Sequence, residues 1–244
     1  VHAGYDLILV ARRADRLRSL AADLAVRTGR SVEILPADLT RPADLTKVEA
    51  VLRNDASIRL LINNAGTGAT APLLQSDIEE MERLIALNVN ALTRLAYAVV
   101  PAFVARGAGT IINIASVAAL APDLLNGVYG ASKAYVLAFS QSLQHELADQ
   151  GVRVQVVLPA ATATDFWAHA GRPLANLPPK IVMSVQNLVD AALAGLAQGE
   201  TVTIPTRTNV ADWEAFEAAR KALSPILSRG KPASRYAVRP HWLR

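Results

Sequence analysis

Short runs rich in β-branched apolar residues return at intervals along this chain, and a segment of helical spacing separates each from the next. The runs are Leu7–Val10, Val32–Leu35, Ile58–Ile62, Thr110–Ile114, Val152–Leu158 and Thr201–Ile204. They are mostly apolar at successive positions rather than at alternate ones, so both faces of each strand need a cover. Parallel strands joined through helices meet that need, and right-handed crossovers place the helices on both faces of the sheet. The alternation predicts an α/β fold, doubly wound about a parallel sheet. No Pro/Gly/Ser linker or internal repeat interrupts it, so residues 1–244 read as a single domain.

The intervening segments carry their own punctuation. Ala14–Thr28 sets Leu17, Leu20 and Leu24 at helical spacing and stops near Gly29. Pro42–Asn54 follows Thr40, an expected cap, with Pro42 in the first turn. Ser76-Asp77-Ile78-Glu79 has a capping-box pattern and opens a long helix to about Ala105. Gly127–Gln150 runs to Gly151, a residue suited to a left-handed stop. Val185–Gln198 and Val210–Leu223 are expected as further helices. Gly171–Met183 is the least regular stretch and, lying after a strand's carboxyl end, reads as a lid.

Composition narrows the function classes. Apolar residues make up 52% of the chain and charged residues 19%, which supports a sizeable core rather than disorder. Absence of cysteine removes disulfides, thiolate chemistry and zinc–thiolate sites, and fits a cytoplasmic protein. The net charge is +4, and Arg229, Lys231, Arg235, Arg239 and Arg244 follow Ser228 with no acid among them. Five spread charges interrupted by Pro232 and Pro240 read as a solvated or subunit-contacting terminus, with neither nucleic acid nor membrane as partner. No run of about 20 apolar residues points to a membrane span, and no basic-then-apolar leader opens the chain. His2, His145, His169 and His241 lack metal-ligand spacing, so no metal is expected. A hydrolase would want a Gly-x-Ser-x-Gly elbow, which is absent.

Tyr129 and Lys133 stand four residues apart, on one face of a helix. A free tyrosine titrates near pKa ~10. A lysine cation beside it favours the phenolate, which turns the phenol into a usable proton donor and acceptor. Alone, the spacing is more often that of a surface pair. Ser116 follows the Thr110–Ile114 run, and ligands of parallel sheets bind beyond such carboxyl ends. Asn63-Asn64-Ala65-Gly66 follows Ile58–Ile62 in the same way, with small residues that let a flat ligand near the backbone.

Taken jointly, Asn63-Asn64-Ala65-Gly66, Asn88, Ser116, Tyr129 and Lys133 closely resemble the short-chain dehydrogenase/reductase family, over about Tyr5 to Ile204. The resemblance implies a Rossmann-type fold and hydride transfer between a nicotinamide and a carbonyl or alcohol. It makes Tyr129 the general acid/base. Lys133 would bind the nicotinamide ribose and depress the tyrosine pKa. Ser116 would orient the substrate oxygen, and Asn88 would support a relay water unless it is merely a buried, satisfied asparagine. Asn64, Ala65 and Gly66 would line the cofactor. Arg12 and Arg13, where NAD-preferring members usually carry an acid, favour the 2′-phosphate of NADP (NADPH). Asp38 and Leu39 resemble the adenine-contacting pair. The segment Pro159-Ala160-Ala161-Thr162-Ala163-Thr164 resembles the one that meets the carboxamide, with Ala160 at the usual glycine, so Pro159, Thr162 and Thr164 are cofactor residues.

One part of that pattern has no counterpart. The family's first strand and glycine-rich turn, which holds the pyrophosphate, would lie upstream of residue 1, with Val1–Tyr5 as the tail of the first helix. The chain begins with Val, and the expectation is an N-terminally truncated, unstable form that binds cofactor poorly. A non-catalytic nucleotide-binding or oligomerising relative is the alternative. Phe166, Trp167, Leu174 and Leu177 in the lid favour a small apolar carbonyl or alcohol substrate. The family also implies a homodimer or homotetramer.

Overall fold

The structure, a computed structural model, describes residues 4–236. In chain order β1 (Leu7–Ala11), α1 (Ala14–Thr28), β2 (Val32–Pro36), α2 (Pro42–Asn54) and β3 (Leu60–Asn63) follow one another. A long helix then comprises α3 (Ile78–Ile85), a π-helical segment (Ala86–Ala91) and α4 (Leu92–Arg106). Next come β4 (Gly109–Ile114), α5 (Gly127–Glu146), β5 (Val152–Val157), the short α6 (Phe166–His169), α7 (Val185–Ala197), β6 (Val202–Thr203) and α8 (Ala211–Ala222).

All strand pairs are parallel, as the apolar runs require. β1 pairs with β2 from Leu7↔Val32 to Ala11↔Pro36, and the order β3-β4-β5-β6 forms a second sheet. The strands thus divide into two sheets rather than one. β1 and β3 do not hydrogen-bond to each other. Leu7–Ala11 and Leu60–Asn63 instead line a cleft of about 2000 Å³ that runs on to the carboxyl ends of β4 and β5. On one face of the four-stranded sheet, Leu52 of α2, Val99 and Phe103 of α4, and Leu143 of α5 pack with Ile111, Val152 and Val154. Each such fully buried side chain stabilises the fold by about 1.5–3 kcal/mol. The opposite face meets α7, where the buried Gln155 of β5 donates to the carbonyl of Ala192.

Helix starts differ from the sequence expectations in two places. Thr40 does not cap α2: it turns back to Asp38, and Arg41 occupies the N-cap without a side-chain bond. Asp77, not Ser76, caps α3 by accepting from the Glu79 amide. In both cases an aspartate carboxylate competes better than a hydroxyl for nearby donors. Gly29 ends α1 in the left-handed region at φ 65°, whereas α5 already stops at Glu146 and Gly151, at φ 69°, closes the 3-10 turn Ala148–Gln150 that follows.

The helix from Ile78 to Arg106 is long and apolar enough to cross a membrane, contrary to the expectation that no such run exists. Leu84, Leu92, Leu95, Val99 and Phe103 along it are buried, so its apolar character serves the core. The described residues divide into two compact units, one ending at Thr206 and the other starting at Arg207. The second unit contributes no strand among its described residues, and its helix α8 is largely exposed. Gly4 and Tyr5 are not helical, and the rest of the expected helix tail lies outside the described residues. So do His2, Arg239, Pro240, His241 and Arg244.

Candidate active site

Strand β4 ends at Ile114 and leads directly to Ser116, whose Oγ accepts from the Ala118 amide and so caps a short turn. Helix α5 then begins at Asn126, whose side-chain oxygen accepts from the amides of Val128 and Tyr129. These two starts bring Ser116, Tyr129 and Lys133 to one buried place, 8%, 5% and 6% exposed respectively. The Lys133 ammonium donates to the Ile114 carbonyl at 2.9 Å and lies 6.0 Å from the centre of the Tyr129 ring.

Asn88 joins this cluster through the π-helical segment. The wider turn breaks the regular i→i−4 ladder and aims the side chain inward, a device common at functional sites. Asn88 is buried, donates to the Thr67 carbonyl at 2.9 Å and to Ser132 Oγ at 3.1 Å, and accepts from the Thr67 amide at 3.0 Å. Both amide hydrogens are committed, so the side chain pins the loop after β3 to α5.

That pinned loop is Asn64-Ala65-Gly66, exposed to the cleft. A methyl group on Gly66 would stand 3.3 Å from Asn88 Oδ1 and 3.4 Å from Lys133 Nζ, closer than most real contacts. Asn63, at the edge of the cleft, donates to Asn113 Oδ1 at 2.9 Å, and Asn113 continues to Ser140, a polar chain through the core. The Pro159–Thr164 segment faces the same space from the end of β5, with Pro159, Ala160, Thr162 and Thr164 all lining the cleft. Thr162 is held by a bridge to Met183 and by Trp167, whose indole N–H donates to its carbonyl at 3.0 Å.

Electrostatics here are governed by burial. The Tyr129 phenol is pushed above its ordinary pKa because burial disfavours the phenolate, and a hydrogen bond with Ser116 only partly offsets this. The Lys133 ammonium is lowered from 10.5 to about 8 by burial. The direction for Tyr129 is opposite to the depression expected from the lysine: burial sets it, and Ser116 is the group that opposes burial.

At the other end of the cleft, Arg12, Asp38 and Leu39 line the wall while Arg13 does not. Arg13 is the exposed N-cap of α1. Asp38 accepts from the Thr40 amide and hydroxyl, at 3.0 and 2.7 Å. Those bonds hold its carboxyl below the usual range against the opposing cost of burial, with smaller help from Arg12 and Arg41. Arg41 is a basic neighbour that its place at a helix start did not single out in the sequence. Asn126 was also missed. It is buried, caps α5 and donates to the Ala71 carbonyl, tying the helix of Tyr129 to the loop after β3. An Asn just ahead of a helix was the available signal.

The space fits a dinucleotide: a buried ammonium, a side-chain-free Gly66 and hydroxyls at one end, with an arginine and a bonded aspartate at the other. Among the described residues no group of His, Cys, Asp and Glu could hold a metal.

Residues 1–174 match the short chain dehydrogenase family. A short-chain dehydrogenase from Sphingobium yanoikuyae, solved with NADPH, is 50% identical, with 96% of this chain and 91% of that one aligned at a TM-score of 0.92. A bulky-bulky ketone specific alcohol dehydrogenase from Comamonas testosteroni is 42% identical, over 97% and 90% of the two chains, at a TM-score of 0.89. Sulfoacetaldehyde reductase 2 of Chromohalobacter salexigens is 34% identical over 67% of this chain and 66% of its own.

Proposed function

The chain belongs to the short-chain dehydrogenase family of oxidoreductases, and from that premise we propose that it reduces apolar ketones with NADPH. The observation that supports this reading most is the buried Ser116–Tyr129–Lys133 cluster opening onto the cleft. With the cofactor bound, its nicotinamide supplies the hydride for the carbonyl carbon. The chain's own residues do the rest. The ketone oxygen meets Tyr129 Oη and Ser116 Oγ. Tyr129, a phenol that is protonated at neutral pH, donates the proton that the developing alkoxide needs. Ser116 orients the oxygen, and the Lys133 ammonium, fixed on the Ile114 carbonyl, holds the nicotinamide ribose. Asn88 keeps the Asn64–Gly66 floor in place.

Support for NADPH over NADH comes from Arg12 in the cleft wall and from the NADPH complex of the Sphingobium relative. Support for ketones comes from the Comamonas relative and from apolar Leu124, Leu125, Phe166 and Trp167 around Tyr129. The reading is tested by mixing the full-length protein with NADPH and a panel of alkyl and aryl ketones and aldehydes. Loss of NADPH absorbance with formation of the secondary alcohol is expected. Tight NADPH binding without reduction of any carbonyl compound would leave the non-catalytic nucleotide-binding reading in its place.

A further inference from the structure

The ring of Phe166 stands beside Tyr129 in the wall of the cleft. Phe166 opens α6, and its ring centre is 5.7 Å from that of Tyr129 and 5.4 Å from that of Trp167, edge-on to the latter. It joins Tyr129, Ala69, Met81 and Leu125 in one apolar cluster, yet it remains half-buried and lines the cleft. The ring tip rests on Gly68, where an added Cβ would overlap it. Gly68 has no positive φ, so a side chain is excluded there by the ring and not by the backbone.

The segment that bears the ring is held at both ends. The Ala170 carbonyl accepts from the Thr70 amide at 3.0 Å and from the Thr70 hydroxyl at 2.7 Å. Trp167 is buried and bonded to Thr162, as described above. Just ahead of α6, Asp165 stands 3.7 Å from Arg16 of α1 across the cleft mouth, an exposed pair that adds little. The bonds to Thr70 fix the backbone that carries the ring, and Gly68, Tyr129 and Trp167 surround the ring itself.

We propose that Phe166, seated on Gly68, is the specificity-determining residue that limits the size of the group beside the reacting carbonyl. The inference rests on the ketone-reductase reading, and its test separates the two. The kcat/KM ratio of benzophenone to acetophenone is measured for the full-length protein, Phe166→Ala, Gly68→Ala and the double variant. One methylene more or less in an apolar pocket is worth about 10–200-fold in discrimination. Phe166→Ala is expected to raise the ratio by about 10-fold or more. Gly68→Ala drives the ring off its seat toward Tyr129 and lowers the ratio, and Phe166→Ala in the same chain relieves that loss. Phe166→Leu keeps an apolar anchor for α6 and shifts the ratio in the same direction as alanine, which covers the case in which the alanine variant fails to fold.

The same two ketones are titrated calorimetrically into the NADP-loaded proteins, which reads the size ratio without turnover. Shifted binding ratios with no reduction by any variant would remove the reductase reading and leave the role of Phe166 standing. A ratio moved less than about twofold by both Phe166 variants overturns the role of Phe166, as does a Gly68→Ala defect that Phe166→Ala does not relieve. Failure of every protein to bind either ketone overturns both.

Discussion

At the Tyr129 end of the cleft the functional side chains are buried and their bonds are fixed, whereas at the Arg12 end the charges stand in water. Asn88, Ser116, Tyr129 and Lys133 are each less than 10% exposed, while Arg12, Arg13 and Arg41 are exposed. The difference separates two kinds of work. Proton transfer needs groups whose pKa values are set by their surroundings, and for Tyr129 and Lys133 burial is the largest cause. Recognition of a dianionic phosphate needs positive charge within reach, which an exposed guanidinium supplies without desolvation. The buried end is accordingly intolerant of change, and the open end should be graded.

Removing the phenol hydroxyl probes that contrast hardest. Tyr129→Phe keeps the ring against Phe166 but has no proton to give, so kcat is expected to fall by about 10²–10⁴-fold while the NADPH Kd moves little. Parallel turnover and binding measurements check it. A variant that retains most of its turnover would mean that another group supplies the proton.

Lys133 offers the next largest effect. Its native pKa of about 8 lies below the ordinary 10.5, so the folded protein binds fewer protons than the unfolded chain between those values. Stability from this group is fully present above pH 10.5 and is lost as the pH falls through 8. Urea unfolding of the cofactor-free protein at pH 7 and pH 10 should therefore show a rise relative to Lys133→Met. The rise is on the order of 3 kcal/mol as an upper bound. Comparison with the variant removes the titration of Tyr129 and the other shared groups. Parallel curves for the two proteins would show that the ammonium is hydrated rather than desolvated.

The smallest effect belongs to the open end. Arg12→Ala should raise the NADPH Kd by about 10-fold and leave NADH unaffected, as expected for loss of a charge-assisted phosphate contact. Arg13→Ala, outside the cleft wall, should change either Kd by less than about twofold. Equal losses at the two positions would show that the phosphate is read by net charge and not by geometry, and would blur the contrast between the ends.

Much of this arrangement is written in local patterns. The order of strands and helices follows from runs of a few residues, and the bounds of α1 and α2 coincide with those expected from their periodicity and flanking residues. The meeting of Tyr129 with Lys133 is set by helical spacing alone. Other features depend on partners far along the chain and leave no local trace. Phe166 and Gly68 are 98 residues apart, and nothing in either segment announces that a side chain at 68 would overlap the ring. Asn126 looks like an ordinary cap until Ala71 appears beside it. Thr40 and Ser76 were reasonable caps that lost to neighbouring aspartates, a competition of hydrogen bonds that a pattern does not rank.

The sequence by itself determined the parallel α/β framework and the placing of Tyr129 and Lys133 on one helix face, because periodicity and helical spacing are properties of neighbouring residues. Tertiary structure alone decided their electrical state, the split of the strands into two sheets, the commitment of Asn88 to Thr67 and the seat of Phe166. Desolvation and steric overlap depend on what surrounds a group in space, and those surroundings are assembled from distant parts of the chain only when it folds.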